Sequence, residues 1–146
     1  MVDSYADHSV VTAILLQQKE NMLALENELN AEIAAISTRD ADKLTESANA
    51  KLMLLEKIQK KDKQLQSCSL AQMTIESEDI AALVEEIKTL LSHCQQQNEI
   101  NAHAAHQTSI AVNKVKDILL GANKVLTYGK KGAAEGGSLL GKGIKA

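Results

Sequence analysis

No glycine and no proline precedes Gly121: all seven Gly lie from there onward, and the 146-residue chain has no Pro. A stretch this long without either helix breaker, rich in Ala, Leu, Glu, Gln and Lys, favours long helices over sheets or loop-rich folds. The apolar residues then set the period. Between 77 and 122, Ile80, Val84, Ile87, Leu91, Cys94, Asn98, Asn101, Ala105, Thr108, Val112, Val115, Leu119 and Ala122 follow in alternating steps of three and four without a skip. That is a heptad seam on one helix. A parallel stripe of Leu83, Leu90, Ala104, Ala111 and Ile118 widens its apolar face, so the helix needs two neighbours and a bundle is favoured over a two-stranded rod.

The same spacing organises the chain upstream. A first helix is expected from about 4 to 36, with Ser4 and Asp7 as capping-box candidates and Val11, Leu15, Gln18, Met22, Leu25, Leu29, Ile33 and Ile36 as its seam. Glu26, Glu28 and Glu32 then face solvent. Ser37-Thr38-Arg39-Asp40-Ala41-Asp42-Lys43 reads as a tight turn, with hydroxyls and acids suited to the positive end of a new helix. A second helix over 40–67 follows as an antiparallel neighbour, with Leu44, Ala48, Lys51/Leu52, Leu55, Ile58, Asp62 and Leu65 as its seam. The period is lost over 68–76, which reads as a loop, and Ser77 with Glu78 and Asp79 caps a third helix over 77–126. The reading is all-α: a long antiparallel three-helix bundle over 1–126 and a flexible, Gly-rich basic tail over 127–146.

At about 1.5 Å per residue the first two helices reach roughly 45 Å and the third about 69 Å. In an up-down-up arrangement the third helix overhangs the bundle from about Thr108. Ala111, Val112, Val115, Ile118 and Leu119 would then form an apolar stripe without cover in its own chain. Such a stripe marks a surface for a partner's helix or a self-association seam, and a homodimer formed by exchanging the third helix would cover it equally. Asn98 and Asn101 upstream are either a polar layer inside the bundle or amides that meet an incoming segment. Tyr128 stands where helix gives way to tail, either folded over Val125 or Leu126 or presented to a partner.

Charge and chemistry exclude more than they suggest. Residues 1–100 carry nine Lys/Arg and seventeen Asp/Glu, whereas residues 101–146 carry seven and two, so an acidic body bears a basic tail. That tail has no Arg and only Tyr128 as an aromatic, which leaves nucleic acid without bidentate contacts or stacking platforms. Cys68 and Cys94 have no metal spacing and are expected to stay reduced. Glu99, His103 and His106 share one helix face at ligand-like spacing, but the register turns them to solvent, so no metal or other cofactor is expected. No nucleophile and base converge, and every Gly lies too late for a phosphate loop, so catalysis is not expected. With no signal-peptide pattern and no membrane-length apolar run, a cytoplasmic protein without integral membrane contact is expected.

The amphipathic first helix, the Arg39-Asp40-Ala41-Asp42-Lys43-Leu44 turn, the Cys94-x-x-x-Asn98-x-x-Asn101 stretch, Leu119-Leu120-Gly121 and Tyr128-Gly129-Lys130-Lys131-Gly132 occur in that order. In this the chain resembles the FlgN family of flagellar export chaperones over most of its length. The resemblance implies a cytosolic chaperone of the hook-filament junction proteins FlgK and FlgL. It would hold their C-terminal segments along the later part of the third helix, at Asn98, Asn101, Thr108, Ala111, Val112, Val115, Ile118 and Leu119. It also implies delivery to the type III export gate, with Tyr128 docking the cytoplasmic domain of FlhA. The alternative is a self-associating coiled-coil scaffold with no export role.

Overall fold

The computed structural model describes the backbone of residues 4–105 and 110–131 and the side chains of 8–105 and 114–127. Every described element is helical: α1 (Ser4–Thr38), α2 (Ala41–Gln66), α3 (Leu70–Glu76), α4 (Glu78–Ala105) and α5 (Ile110–Lys131).

The turn between α1 and α2 is tight because two caps share it. Arg39 adopts a left-handed conformation, φ 54°. Its N–H donates to the Ile36 carbonyl at 3.2 Å while the Asp40 N–H reaches the Ala35 carbonyl at 3.0 Å, a Schellman closure of α1. Asp40 then caps α2, its carboxylate accepting from the Lys43 N–H at 3.1 Å. Capping by the hydroxyls of Ser37 and Thr38 does not occur. Both donate backwards instead, to the carbonyls of Ile33 and Ala34.

The seams pack as the periodicity predicts over most of their length. At the end near the α1–α2 turn, however, Ile33, Ile36, Leu44 and Ala48 are only half-buried, and of the pair Lys51/Leu52 it is Lys51 that is buried while Leu52 is exposed. Val11, Leu15, Met22, Leu25 and Leu29 of α1 are buried against Leu55, Ile58 and Leu65 of α2 and against Ile80, Val84, Ile87, Leu91 and Cys94 of α4. Gln18 donates to the Ile58 carbonyl and Ser47 to that of Glu28, so residue numbers run oppositely along α1 and α2. Along α1 and α4 they climb together: Cys94 meets the Met22 carbonyl and Asn101 that of Leu29. The expected loop at 68–76 is instead the short helix α3. Leu70 and Met73, three residues apart, are buried at the foot of the bundle, where α3 packs on α4 and α5.

The overhang does not exist. Asn101 is level with Leu29 and Glu32 of α1, so Ala105, four residues on, lies near the end of both helices. The third helix expected over 77–126 is two helices, and α5 returns antiparallel to α4. Lys116 pairs with Glu99 at 3.0 Å, and further down Ala122 and Leu126 line a common space with Ile87. α5 packs on α2, α3 and α4, giving an up-down-up-down bundle whose circuit runs α1, α2, α5, α4. The physical reason is the stripe itself. Val115 (1 % exposed), Ile118 (8 %) and Leu119 (0 %) would each forgo about 1.5–3 kcal/mol of burial on an open helix, and the groove between α2 and α4 supplies cover. The helix also outlasts the expected boundary at 126, continuing to Lys131; the remainder of the expected tail, 132–146, lies outside the described residues.

Leu119→Ala separates a buried fourth helix from an overhang. Equilibrium denaturation is expected to show a loss of about 2–4 kcal/mol, as for a fully enclosed leucine, whereas a solvent-facing position would lose little.

Candidate functional site

Two features of the bundle are more than apolar packing, and both involve the α4–α5 hairpin or the layer beside it. Near the upper end a polar layer crosses three helices. The Lys51 ammonium of α2 (the residue is 5 % exposed) pairs with Glu32 of α1 at 2.6 Å. The other Glu32 oxygen accepts from the Asn101 amide of α4 at 2.9 Å. The same amide nitrogen donates to the Leu29 carbonyl at 2.8 Å, and Gln97 donates to the Asn101 oxygen at 2.8 Å. A buried charge is tolerable only with its counter-charge and hydrogen bonds in place, so this layer fixes the axial register of α1, α2 and α4. Asn98 is buried one turn away.

The second feature lies lower, where α5 covers α2. Asp62, half-buried on the α2 seam, is bordered by Gln18, Met22, Leu65, Ile87, Ala122 and Leu126, none of them charged. Its carboxylate has no hydrogen-bond or ion-pair partner among the described residues. Burial pushes it up to about 6 from the ordinary 3.8. The charged α5 residue lining the neighbouring groove, with Leu65, Cys68 and Leu70, is Lys124. Directly over Asp62 stands Gly121, where an added Cβ would come within 3.9 Å of a carboxylate oxygen, an ordinary contact.

A model of the FlgN protein family matches residues 8–136. The chain belongs to the FlgN family. It is a family of flagellar export chaperones. No curated protein and no solved structure matches the chain.

The residues that the sequence assigned to this FlgN-family chain's client surface are distributed unevenly. Asn98, Asn101, Val115, Ile118 and Leu119 all face inward, and the Asn101 amide is already committed to α1. Thr108 lies outside the described residues, as do the side chains of Ala111, Val112 and Tyr128, although α5 carries the last three in its backbone. Glu99 is exposed and pairs with Lys116; His103 is exposed, and His106 lies outside the described residues. Among the described residues no group of three His, Cys, Asp or Glu side chains could hold a metal ion. Cys94 is buried, and its thiol is pushed up to about 12 by burial and by the Glu26 charge, which leaves it protonated at neutral pH. Among the described residues no helix is long and apolar enough to cross a membrane.

Sequence reading missed Glu32, which it placed in solvent, and gave Lys51 and Asp62 seam positions without a role. The signal was present: a Lys in a seam requires an acid on a facing helix, and an Asp in a seam requires a partner or tolerates a weakened contact.

Two outcomes test these features. Lys51→Ala is expected to cost about 2–4 kcal/mol by leaving Glu32 unpaired, whereas Lys51→Met with Glu32→Gln should recover most of it in a double-mutant cycle. For Asp62 the folded value lies above the unfolded one, so its stabilising contribution is present below about pH 3.8 and lost as pH rises through about 6. Asp62→Asn should therefore match the wild type near pH 4. It should exceed it by about 1–2 kcal/mol at pH 7.5, solvent screening at the exposed edge included, in denaturation curves taken across that range.

Proposed function

We propose that this protein is a cytoplasmic chaperone that binds the C-terminal helical segments of the hook-filament junction proteins FlgK and FlgL. It brings them to the flagellar type III export gate. The observation that carries the reading is the family match over residues 8–136, on an all-helical bundle whose last described helix, α5, buries one apolar face. The mechanism is physical rather than catalytic. A client's amphipathic helix is kept from aggregating by seating its apolar face in a groove, and moderate affinity lets it be handed on.

The client surface is assigned to the α4–α5 region, at Asn98, Asn101, Thr108, Ala111, Val112, Val115, Ile118 and Leu119. Because Val115, Ile118 and Leu119 are covered in the closed bundle, engagement at these side chains requires α5 to lift from α2. Tyr128, in the last turns of α5, is assigned to docking the cytoplasmic domain of FlhA.

Calorimetric titration with C-terminal segments of FlgK and FlgL is the direct test, beside a Val115→Asp, Leu119→Asp variant whose helicity is checked by circular dichroism. Binding by the wild type and its loss in the variant is expected. Binding unchanged in the variant would keep the activity and move the site, and no binding by either would favour a self-associating scaffold. Tyr128→Ala should leave client binding intact while weakening capture by the FlhA cytoplasmic domain at least tenfold; unaltered capture would withdraw that role.

A further inference from the structure

Lysines in this structure fall into two groups. Lys19, Lys51, Lys88 and Lys116 each meet a carboxylate, on Glu86, Glu32, Glu85 and Glu99. Lys57, Lys60, Lys61 and Lys63 of α2 have no ion pair among the described residues, and of these Lys61 alone donates a side-chain hydrogen bond, to Gln64. Four cations thus crowd the seven residues 57–63 of one helix, where like charges a turn apart weaken it. The acid among them gives no relief, because Asp62 lies on the buried seam beside residues of α1, α4 and α5. Nor does the helix dipole, whose reach is the last turn: α2 ends at Gln66, and the basic residue of that turn is Lys63. Nothing within the described molecule compensates Lys57 and Lys60.

The exposed face gives this cluster a shape. Met53, Lys57, Lys60 and Gln64 follow in steps of four, three and four, all exposed, on the side of α2 opposite the buried Lys51, Leu55, Ile58 and Leu65. A shallow groove along that line is bordered by Met53, Glu56, Lys57, Gln59, Lys60 and Lys63, which bring three ammonium groups and one carboxylate. Met53, 63 % exposed, supplies a flexible apolar side chain that adapts to whatever rests on it. The face is therefore one helix wide, cationic, and spaced as a seam for a second helix.

Charge and shape select the occupant. The chain's own residues from 132 onward bring Lys142 and Lys145 against Glu135, and the lysines of α2 repel them. Nucleic acid finds no Arg for bidentate contacts and no aromatic to stack on along this groove. An anionic membrane, being flat, would meet Glu56 and the acidic body together with the lysines, for residues 1–100 carry seventeen Asp/Glu against nine Lys/Arg. A single helix touches the stripe alone. We infer that the face of α2 formed by Met53, Lys57, Lys60 and Lys63 docks an acidic amphipathic helix of another protein. Carboxylates three and four residues apart meet the ammonium groups, and an apolar side chain rests on Met53. The surface lies on α2, outside the α4–α5 region assigned to clients, so the inference goes beyond the chaperone reading and stands without it.

The test uses the full chain and two synthetic helices. One carries Leu and Glu in the steps of three and four that the stripe presents; the other carries Lys in place of each Glu. Calorimetric titration is expected to show the acidic helix binding the wild type, more weakly as salt rises, and losing about tenfold or more on Lys57→Glu, Lys60→Glu. The lysine helix should bind that variant and not the wild type. Lys57→Gln, Lys60→Gln, which adds no opposite charge, should fall between, with circular dichroism checking that both variants keep the bundle. The inference is overturned if the acidic helix binds wild type and reversed variant alike, binds no tighter than a peptide of the same composition in scrambled order, or does not bind. It is equally overturned if phosphatidylglycerol vesicles or a single-stranded oligonucleotide bind the stripe more tightly than the helix, or if sedimentation shows the wild type associating with itself through it. A FlgK segment should bind wild type and reversed variant equally. Loss of that segment in step with the acidic helix overturns a separate surface, whereas its failure to bind the wild type counts against the chaperone reading alone.

Discussion

An apolar helix surface must be covered, and in this chain the demand for cover exceeds what three antiparallel helices can supply. α1 is the long rail, α2 covers one flank of it, and α4 covers the other. Together they leave a groove between α2 and α4 and a residual apolar segment, Ile118, Leu119, Ala122 and Leu126, with nothing to lie on. The hairpin satisfies both needs at once. Without that burial there would be no reason for a helix whose sequence carries no breaker to reverse, and α3 would keep α4 but lose its α5 neighbour at the foot of the bundle.

The polar layer plays a different part. Apolar seams with a seven-residue repeat tolerate slippage by a whole repeat, because one leucine fits much as another does. Lys51, Glu32 and Asn101 do not, since any shift leaves a buried charge or amide without its partner. The layer ties α1, α2 and α4 into one register and leaves α5 out. The molecule thus divides into a registered frame and a helix held on it by side-chain burial, with the unpaired Asp62 carboxylate working against the contact.

Much of this was legible beforehand. The seams of α1, α2 and α4, the turn at Arg39 and Asp40, and the start of α4 at Ser77 follow from spacing and capping, which are local properties; Ser77 does cap, its hydroxyl accepting from the Ile80 N–H at 3.2 Å. The reversal into α5 was not legible, because nothing between 78 and 120 breaks a helix and the cause lies in residues such as Leu65 and Ile87 on other elements. α3 was hidden for a similar reason: seven residues carry too little period to register, and only burial of Leu70 and Met73 makes them helical. At the candidate site, the seam positions of Asn101 and Lys51 announced buried polar groups, but which atom met which required the fold. The residues named for client binding were chosen on the premise of exposure, and that premise is what tertiary packing removed.

The parallel course of α1 and α4 has a consequence for synthesis. The carbonyl of Met22 waits for Cys94, and that of Leu29 for Asn101, each 72 residues further along. α2 emerges soon enough to shield one flank of α1, but the other flank stays bare until α4 has left the ribosome. At roughly 5–20 residues per second that interval is several seconds. A growing chain therefore spends that time with a long row of leucines open on one side. Slowing translation late in α4 would lengthen that exposed stage without changing the final fold.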